Sequence, residues 1–106
     1  MHLPPAIDLY VKAENTGDVE SLSECFAPDA IVRDESHTYE GIAAIKEWKA
    51  ETKKKYRHNV EPLAVAREGD KIIVTNRLTG KFPGSPIEIR FVFRLEGDKI
   101  ASLEIG

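Results

Sequence analysis

The sequence has 106 residues and a formal net charge of −3, with 42% hydrophobic and 31% charged side chains. That is the balance of one soluble globular domain spanning 1–106, in which about 65% of the unfolded chain's surface can be buried. The solitary Cys25 excludes an internal disulfide and fits a reducing, cytoplasmic setting. Apolar runs are only a few residues long and the opening MHLPPAIDLY lacks a basic head before a hydrophobic stretch, so neither a membrane span nor a signal peptide is expected.

Charge is unevenly spread: residues 1–45 carry two basic and nine acidic side chains, residues 46–106 thirteen basic and nine acidic. The densest basic stretch, Lys53-Lys54-Lys55 with Arg57, lacks the wider basic face or stacking aromatics that nucleic acid needs. Lysines also suit a helix C-terminus, so a solvated helix end is expected and no nucleic-acid partner.

Pro4 and Pro5 suit a first helical turn, and Ile7, Tyr10, Val11 and Glu14 follow helical spacing until Asn15-Thr16-Gly17 breaks it. Asp18 is placed to cap a second helix, with Val19, Leu22 and Phe26 as its apolar stripe and Pro28 as its end. Ala30-Ile31-Val32 reads as a brief strand running into the polar segment Arg33-Asp34-Glu35-Ser36-His37. A third helix begins near Gly41 and ends near Tyr56, with Ile42, Ile45, Trp48 and Thr52 inward and Lys46, Glu47, Lys53 and Lys54 outward.

Beyond it only β-rich runs remain, roughly 58–67, 71–82, 86–96 and 99–105. Glu-Gly-Asp-Lys recurs at 68–71 and 96–99, and Gly-Asp between two β runs signals a two-residue hairpin. Pro83-Gly84-Ser85-Pro86 marks the middle turn. Ile87, Ile89, Phe91, Phe93 and Leu95 alternate with Glu88, Arg90, Val92 and Arg94, which gives the strand a covered and a wet face. Pairing Phe82 with Ile87 puts Val74, Asn76 and Leu78 on the inner face, joined by Leu63 and Val65; Thr75, Arg77, Arg90 and Arg94 share the outer one. Three helices and a short strand, then a four-strand antiparallel meander, predict an α+β fold with helices on one face of a curved sheet.

This order and its motifs resemble the NTF2-like superfamily of cone-shaped domains, which includes SnoaL-like polyketide cyclases and ketosteroid isomerases. The resemblance runs nearly end to end: Tyr10-Val11 with Asn15-Thr16-Gly17-Asp18, Cys25-Phe26-Ala27-Pro28-Asp29-Ala30, Tyr39-Glu40-Gly41-Ile42-Ala43-Ala44-Ile45, Phe82-Pro83-Gly84-Ser85-Pro86 and Asp98-Lys99-Ile100-Ala101. These residues are specific for fold and say little about reaction, because turns, caps and core persist whatever the pocket does.

The resemblance to ketosteroid isomerases implies a mechanism to test: a tyrosine on helix one and a protonated aspartic acid on a later strand donate to the substrate oxygen, while an aspartate after the first strand moves the proton. Aligned on Gly17-Asp18, the tyrosine falls on Tyr10, the basic aspartate on Asp34 and the third position on Phe91. One donor is lost, and such a loss typically costs about a hundredfold or more in rate, so ketosteroid isomerase activity itself is not expected. Tyr10 and Asp34 remain as a candidate acid-base pair in an apolar cone, with His37, Trp48, Asn76, Leu78, Phe91 and Phe93 as expected pocket lining.

Alternatives stand beside each. Tyr10 reads equally as core filling on its helix's buried stripe. Asp34 is either a solvated loop carboxylate or a pocket base whose pKa desolvation raises. Trp48 with Tyr56 is either a helix-to-sheet contact or part of a ligand cavity, and Cys25 reads as a small buried hydrophobe rather than a nucleophile.

Asp34, Glu35 and His37 sit too close in sequence to converge on one metal, and no phosphate loop, Ser-His-Asp series or dinucleotide fingerprint occurs; no metal or cofactor is expected. The functional expectation is proton transfer on a compact hydrophobic carbonyl compound, with a non-catalytic ligand-binding or dimerisation module as the alternative. The resemblance also implies a homodimer through the outer sheet face.

Overall fold

The computed structural model describes residues 2–106, so Met1 of the expected 1–106 unit lies outside it. Helix α1 spans Pro5–Thr16 and stops at Gly17, whose φ of 76° is the left-handed value a glycine adopts without strain. A 3-10 turn (Val19–Ser21) leads into the short helix α2 (Leu22–Cys25). Asp18 does not cap it: the Asp18 carboxylate instead accepts the Ser21 hydroxyl at 2.7 Å. The helix also ends before the expected Phe26, which is already extended at ψ 145°, and a proline two residues on disfavours further helical geometry at Ala27.

Strand β1 is therefore longer than expected, Phe26–Asp34. It absorbs Pro28 in an irregular stretch, between Phe26 and Ile31, where pairing to its neighbour lapses. The predicted polar loop is a hairpin. Asp34 pairs with His37 at the start of β2 (His37–Glu40), and the two turn residues Glu35 and Ser36 have φ of 53° and 65°. Both central residues of a type I′ turn need positive φ, a geometry usually signalled by Asn-Gly or Asp-Gly, so nothing in Glu-Ser announces it.

Helix α3 (Ile42–Tyr56) is followed by β3 (Asn59–Glu68), β4 (Lys71–Thr79), β5 (Ile87–Glu96) and β6 (Lys99–Ile105). The Gly-Asp hairpins form as expected, with Glu68 opposite Lys71 and Glu96 opposite Lys99. The sheet has six strands in the order β2-β1-β6-β5-β4-β3, and β1 runs parallel to β6, so the meander is embedded in a mixed sheet. Strand β4 ends at Thr79 rather than 82, and Ile87 pairs with Leu78, not Phe82. The offset is an even number of residues, which preserves the inner face: Val74 and Asn76 are fully buried there. Leu63 is the exception, because it is the unpaired residue of a bulge between Pro62 and Ala64, and Val60 and Pro62 face inward in its place. Pro62 is tolerated because β3 is an edge strand.

The helices cover one face of this sheet. Tyr10, Phe26, Phe91 and Phe93 are buried together at the centre, Tyr10 meeting Phe26 and Phe93 edge-on at centroid distances of 5.7 and 5.6 Å. Cys25 is buried too, and burial pushes its thiol up to about 12, the state of an inert packing residue. Among the described residues no helix is long and apolar enough to cross a membrane.

Gly80, just past β4, packs against the chain leaving α3: a Cβ there would lie 2.9 Å from both the Tyr56 carbonyl oxygen and the His58 Cα. Backbone on both sides leaves no side chain free to yield. Gly80→Ala is therefore expected to lower the unfolding free energy by about 1–3 kcal/mol, as an overpacked site does, measured as a drop in denaturant midpoint at unchanged m-value.

Candidate functional site

Helix α1 places Tyr10 and Glu14 one turn apart on its buried face. The Tyr10 hydroxyl donates to Glu14 Oε2, while Lys49 Nζ and His58 Nε2 both donate to Oε1, at 2.8 and 2.7 Å. All are buried: Glu14, Lys49 and His58 are 1%, 2% and 5% exposed. Lys49 reaches this depth because it lies four residues after Ile45 on the inner side of α3, its aliphatic stem packing apolar surface while its head finds a carboxylate. His58 follows the left-handed Arg57, which ends α3 and turns the chain toward β3.

Burial alone would raise the Glu14 carboxyl; the Lys49 ammonium and the His58 hydrogen bond outweigh it and bring it down to about 2. His58 Nε2 donates to that oxygen, while its Nδ1 is buried without a partner. The cluster thus sets one carboxylate against the Lys49 ammonium and two further hydrogen-bond donors. The same charge, with burial, pushes the Tyr10 phenol well above its ordinary value and keeps its proton in place.

Asp34 ends β1 on the face that also carries Val32. Trp48 Nε1 donates to its Oδ2 at 3.0 Å, fixing the carboxylate against an indole that is itself 2% exposed. Burial raises the Asp34 pKa and the nearby Glu35 charge adds to the rise, which the Trp48 hydrogen bond only partly offsets. Over the same indole sits Lys49 Nζ, 3.9 Å from the ring centroid.

These groups share a cavity of about 310 Å³ between the C-terminal half of α3 and the inner face of β4 and β5. Its apolar lining is Leu78, Ile87, Ile89, Phe91 and Ile105, with the Tyr56 and Phe82 rings, which meet edge-on at 6.0 Å. The polar lining is Glu14, Asp34, Glu35, Lys49, Thr52 and His58. A small apolar molecule fits such a space, with a carboxylate and an ammonium available to one end of it.

Of the residues predicted from sequence, Asp34, Trp48, Leu78 and Phe91 lie in this wall. Tyr10 does not: it is fully buried in the aromatic centre, its hydroxyl committed to Glu14. Phe93 and Asn76 are likewise fully buried and outside the lining, and neither polar atom of the Asn76 amide has a partner. His37 is exposed on the β1–β2 hairpin, its Nδ1 2.9 Å from the Glu35 carbonyl oxygen and its ring stacked on Tyr39. Sequence reasoning missed Glu14, Lys49 and His58 as a group. A signal existed for two of them, since Glu14 and Lys49 are charged residues at helical positions whose neighbours are buried. Among the described residues no group of three or more His, Cys, Asp or Glu is arranged to hold a metal ion.

The chain belongs to the SnoaL-like family, whose domain model matches residues 7–103. It is 39% identical to a Sinorhizobium meliloti protein provisionally described as a polyketide cyclase, whose crystal structure superposes with a TM-score of 0.94 over 98% of this chain and 95% of that one. The fold recurs in a Catenulispora acidiphila protein with a ketosteroid isomerase-like fold, crystallised with trimethylamine (22% identity, TM-score 0.85, 99% and 86% covered). It recurs again in an Agrobacterium tumefaciens protein provisionally described as a SnoaL-like isomerase (15% identity, TM-score 0.77, 94% and 92% covered). No match is found among curated proteins.

Removing one partner of a buried pair leaves the other uncompensated. Lys49→Met is expected to cost about 3–5 kcal/mol at neutral pH. The sign with pH follows from Glu14: without the ammonium, burial makes its folded-state pKa higher than the unfolded one, so protonation favours the fold and the deficit shrinks as pH falls. Urea unfolding of the variant at pH 7 and pH 5 checks this, and a deficit that stays constant or grows on acidification contradicts it.

Proposed function

We propose that the protein is a cofactor-independent acid-base enzyme acting on a compact, hydrophobic carbonyl compound bound in the cavity, with Asp34 as the proton-transferring base. The observation that carries this reading is the Asp34 carboxylate, held by the Trp48 indole at 3.0 Å in the wall of an apolar cavity, with burial raising its pKa. A carboxylate made more basic by desolvation is suited to take a proton from carbon and return it, the chemistry of isomerases and of cyclases that work through enolates. The description of the Sinorhizobium meliloti relative as a polyketide cyclase favours substrates of that carbonyl-rich kind. Tyr10 enters this mechanism as a positioning residue: its hydroxyl reaches Glu14 instead of the cavity.

Hydrogen-deuterium exchange at the α-carbon of small cyclic ketones and 1,3-diketones, followed by NMR in D2O, tests the reading. The wild-type protein should accelerate exchange and Asp34→Asn should reduce it by about 10²–10⁴-fold while the fold survives. Asp34→Asn should also be the more stable protein near neutral pH. The raised Asp34 pKa means the folded state favours the protonated form, so the charged form weakens the wild-type fold as pH rises through that value.

A second reading, a non-catalytic small-molecule binder, is favoured by Phe91 in place of a donor and by the withdrawal of Tyr10 from the cavity. It predicts saturable binding of the same ketones with no exchange by any variant.

For assembly, we propose a homodimer through the outer sheet face, where Ile73 and Val92 pair among Arg77, Glu88, Arg90 and Arg94. An interface of that composition is polar and sensitive to charge reversal. Light scattering should give a dimer mass for the wild type and a monomer mass for Arg90→Glu; a wild-type monomer at high micromolar concentration refutes it. The buried, protonated Cys25 thiol suits a reducing cytoplasm, the compartment we propose.

A further inference from the structure

The reaction assigned to Asp34 needs a donor for the oxygen on which negative charge collects, and neither Tyr10 nor Phe91 supplies one at the cavity. We propose that Lys49 is that donor, a catalytic residue whose ammonium hydrogen-bonds the substrate carbonyl oxygen while Asp34 takes the neighbouring proton. The inference rests on the Asp34 reading and specifies its substrate class: a neutral compound whose charge develops on oxygen during reaction.

Three observations place Lys49 in this role. Its side chain lines the cavity although it is 2% exposed, so a molecule filling the cavity meets it. An ammonium has three N–H donors, and Glu14 Oε1, at 2.8 Å, is the one hydrogen-bond acceptor it has among the described residues. Finally, one residue sets its relation to Asp34: the Trp48 ring lies beneath Nζ at 3.9 Å while the indole Nε1 holds the Asp34 carboxylate. Cation and base therefore contact the same indole, one over its face and the other at its N–H.

A structural role alone accounts poorly for this arrangement. Apolar residues of similar volume often replace a buried ion pair at no loss of stability, so the pair by itself is weak evidence of a stabilising purpose. The three donors on Glu14 fix the anion, and the fixed anion fixes the ammonium, so little reorganisation remains at the moment of reaction.

The step balances within the chain and substrate. The α-carbon C–H bond breaks and its proton goes to Asp34. The released pair forms the C=C bond as the carbonyl π pair moves onto oxygen, and that enolate oxygen accepts hydrogen bonds from Lys49. Return of the proton from the Asp34 carboxyl to the α-carbon, with the oxygen pair re-forming the carbonyl bond, gives exchange and restores the carboxylate; in a conjugated enolate, delivery to the far carbon of the C=C system gives the isomer instead.

The test uses 4-nitrophenol, whose phenolate mimics the enolate oxygen and is coloured, bound to Asp34→Asn so that the Asp34 charge does not repel it. Lys49→Met alone would leave Glu14 uncompensated, so the comparison protein carries Lys49→Met and Glu14→Gln on the same background, with melting curves confirming its fold. Absorbance titration should show 4-nitrophenol ionising at lower pH when bound to Asp34→Asn than when free, with phenolate affinity falling at least tenfold in the comparison protein. Equal ionisation on both proteins, or no uptake of 4-nitrophenol by Asp34→Asn, overturns the proposal. Because Asp34 is absent from both proteins, the outcome is independent of ketone exchange by the wild type, and the two readings fail separately.

Discussion

The buried carboxylate of Glu14 is the constraint around which the cavity is organised. It is reached from three directions, by Tyr10 one turn earlier on α1, by Lys49 on α3 and by His58 at the entry to β3. An ionised carboxylate in a dry interior is costly unless nearly every lone pair is used, which leaves these elements few relative positions that satisfy it. The hydrogen bonds therefore set the spacing of α1, α3 and the start of β3, and with it the width of the cavity between α3 and the sheet. The neighbouring Asn15 continues the clamp, its side-chain amide exchanging two hydrogen bonds with the Val60 backbone at 3.0 and 2.7 Å.

Trp48 then couples this frame to the mouth of the site. The indole face receives the Lys49 charge, its N–H fixes Asp34, and Tyr39 lies against it at a centroid distance of 5.7 Å. The Glu35-Ser36 turn, with both residues at positive φ, carries the chain from Asp34 straight back into β2. Asp34 is consequently a residue of a paired strand end rather than of a free loop, which is why its orientation can be held against one indole nitrogen.

Periodicity made the helices and the last four strands legible, because alternation and 3.6-residue spacing report which face is buried irrespective of partner. It could not report that β1 joins the sheet parallel to β6, since a parallel neighbour brought by chain reversal leaves no local trace. The β1–β2 hairpin was hidden by turn residues that do not favour its geometry, and the Leu63 bulge by a pattern that assumes an unbroken pleat. Within the site, Asp34, Trp48, Leu78 and Phe91 were readable from resemblance and stripe position. Glu14 was placed on the stripe of its helix without a partner, and Lys49 and His58 carried no signal along the chain that joins them to it. What decides these three is mutual satisfaction across separations of 35 and 44 residues, which no window along the chain contains.

The two carboxylates illustrate how one cavity wall can divide labour. Glu14 and Asp34 are both desolvated, and desolvation pushes each toward the neutral form. Glu14 has the Lys49 ammonium and the His58 and Tyr10 donors on its oxygens, so its folded pKa falls; it stabilises the fold above the ordinary carboxylate range and loses that contribution as pH falls toward about 2. Asp34 has one neutral donor and a like charge nearby, so its pKa rises, and the contribution of its protonated form fades as pH climbs. The heavily anchored carboxyl is thus held in its charged form, and the loosely compensated one is shifted toward its protonated form. The opposite shifts of these two desolvated carboxyls thus follow from what each oxygen meets, a full set of donors and a cation for Glu14 and a single indole N–H for Asp34.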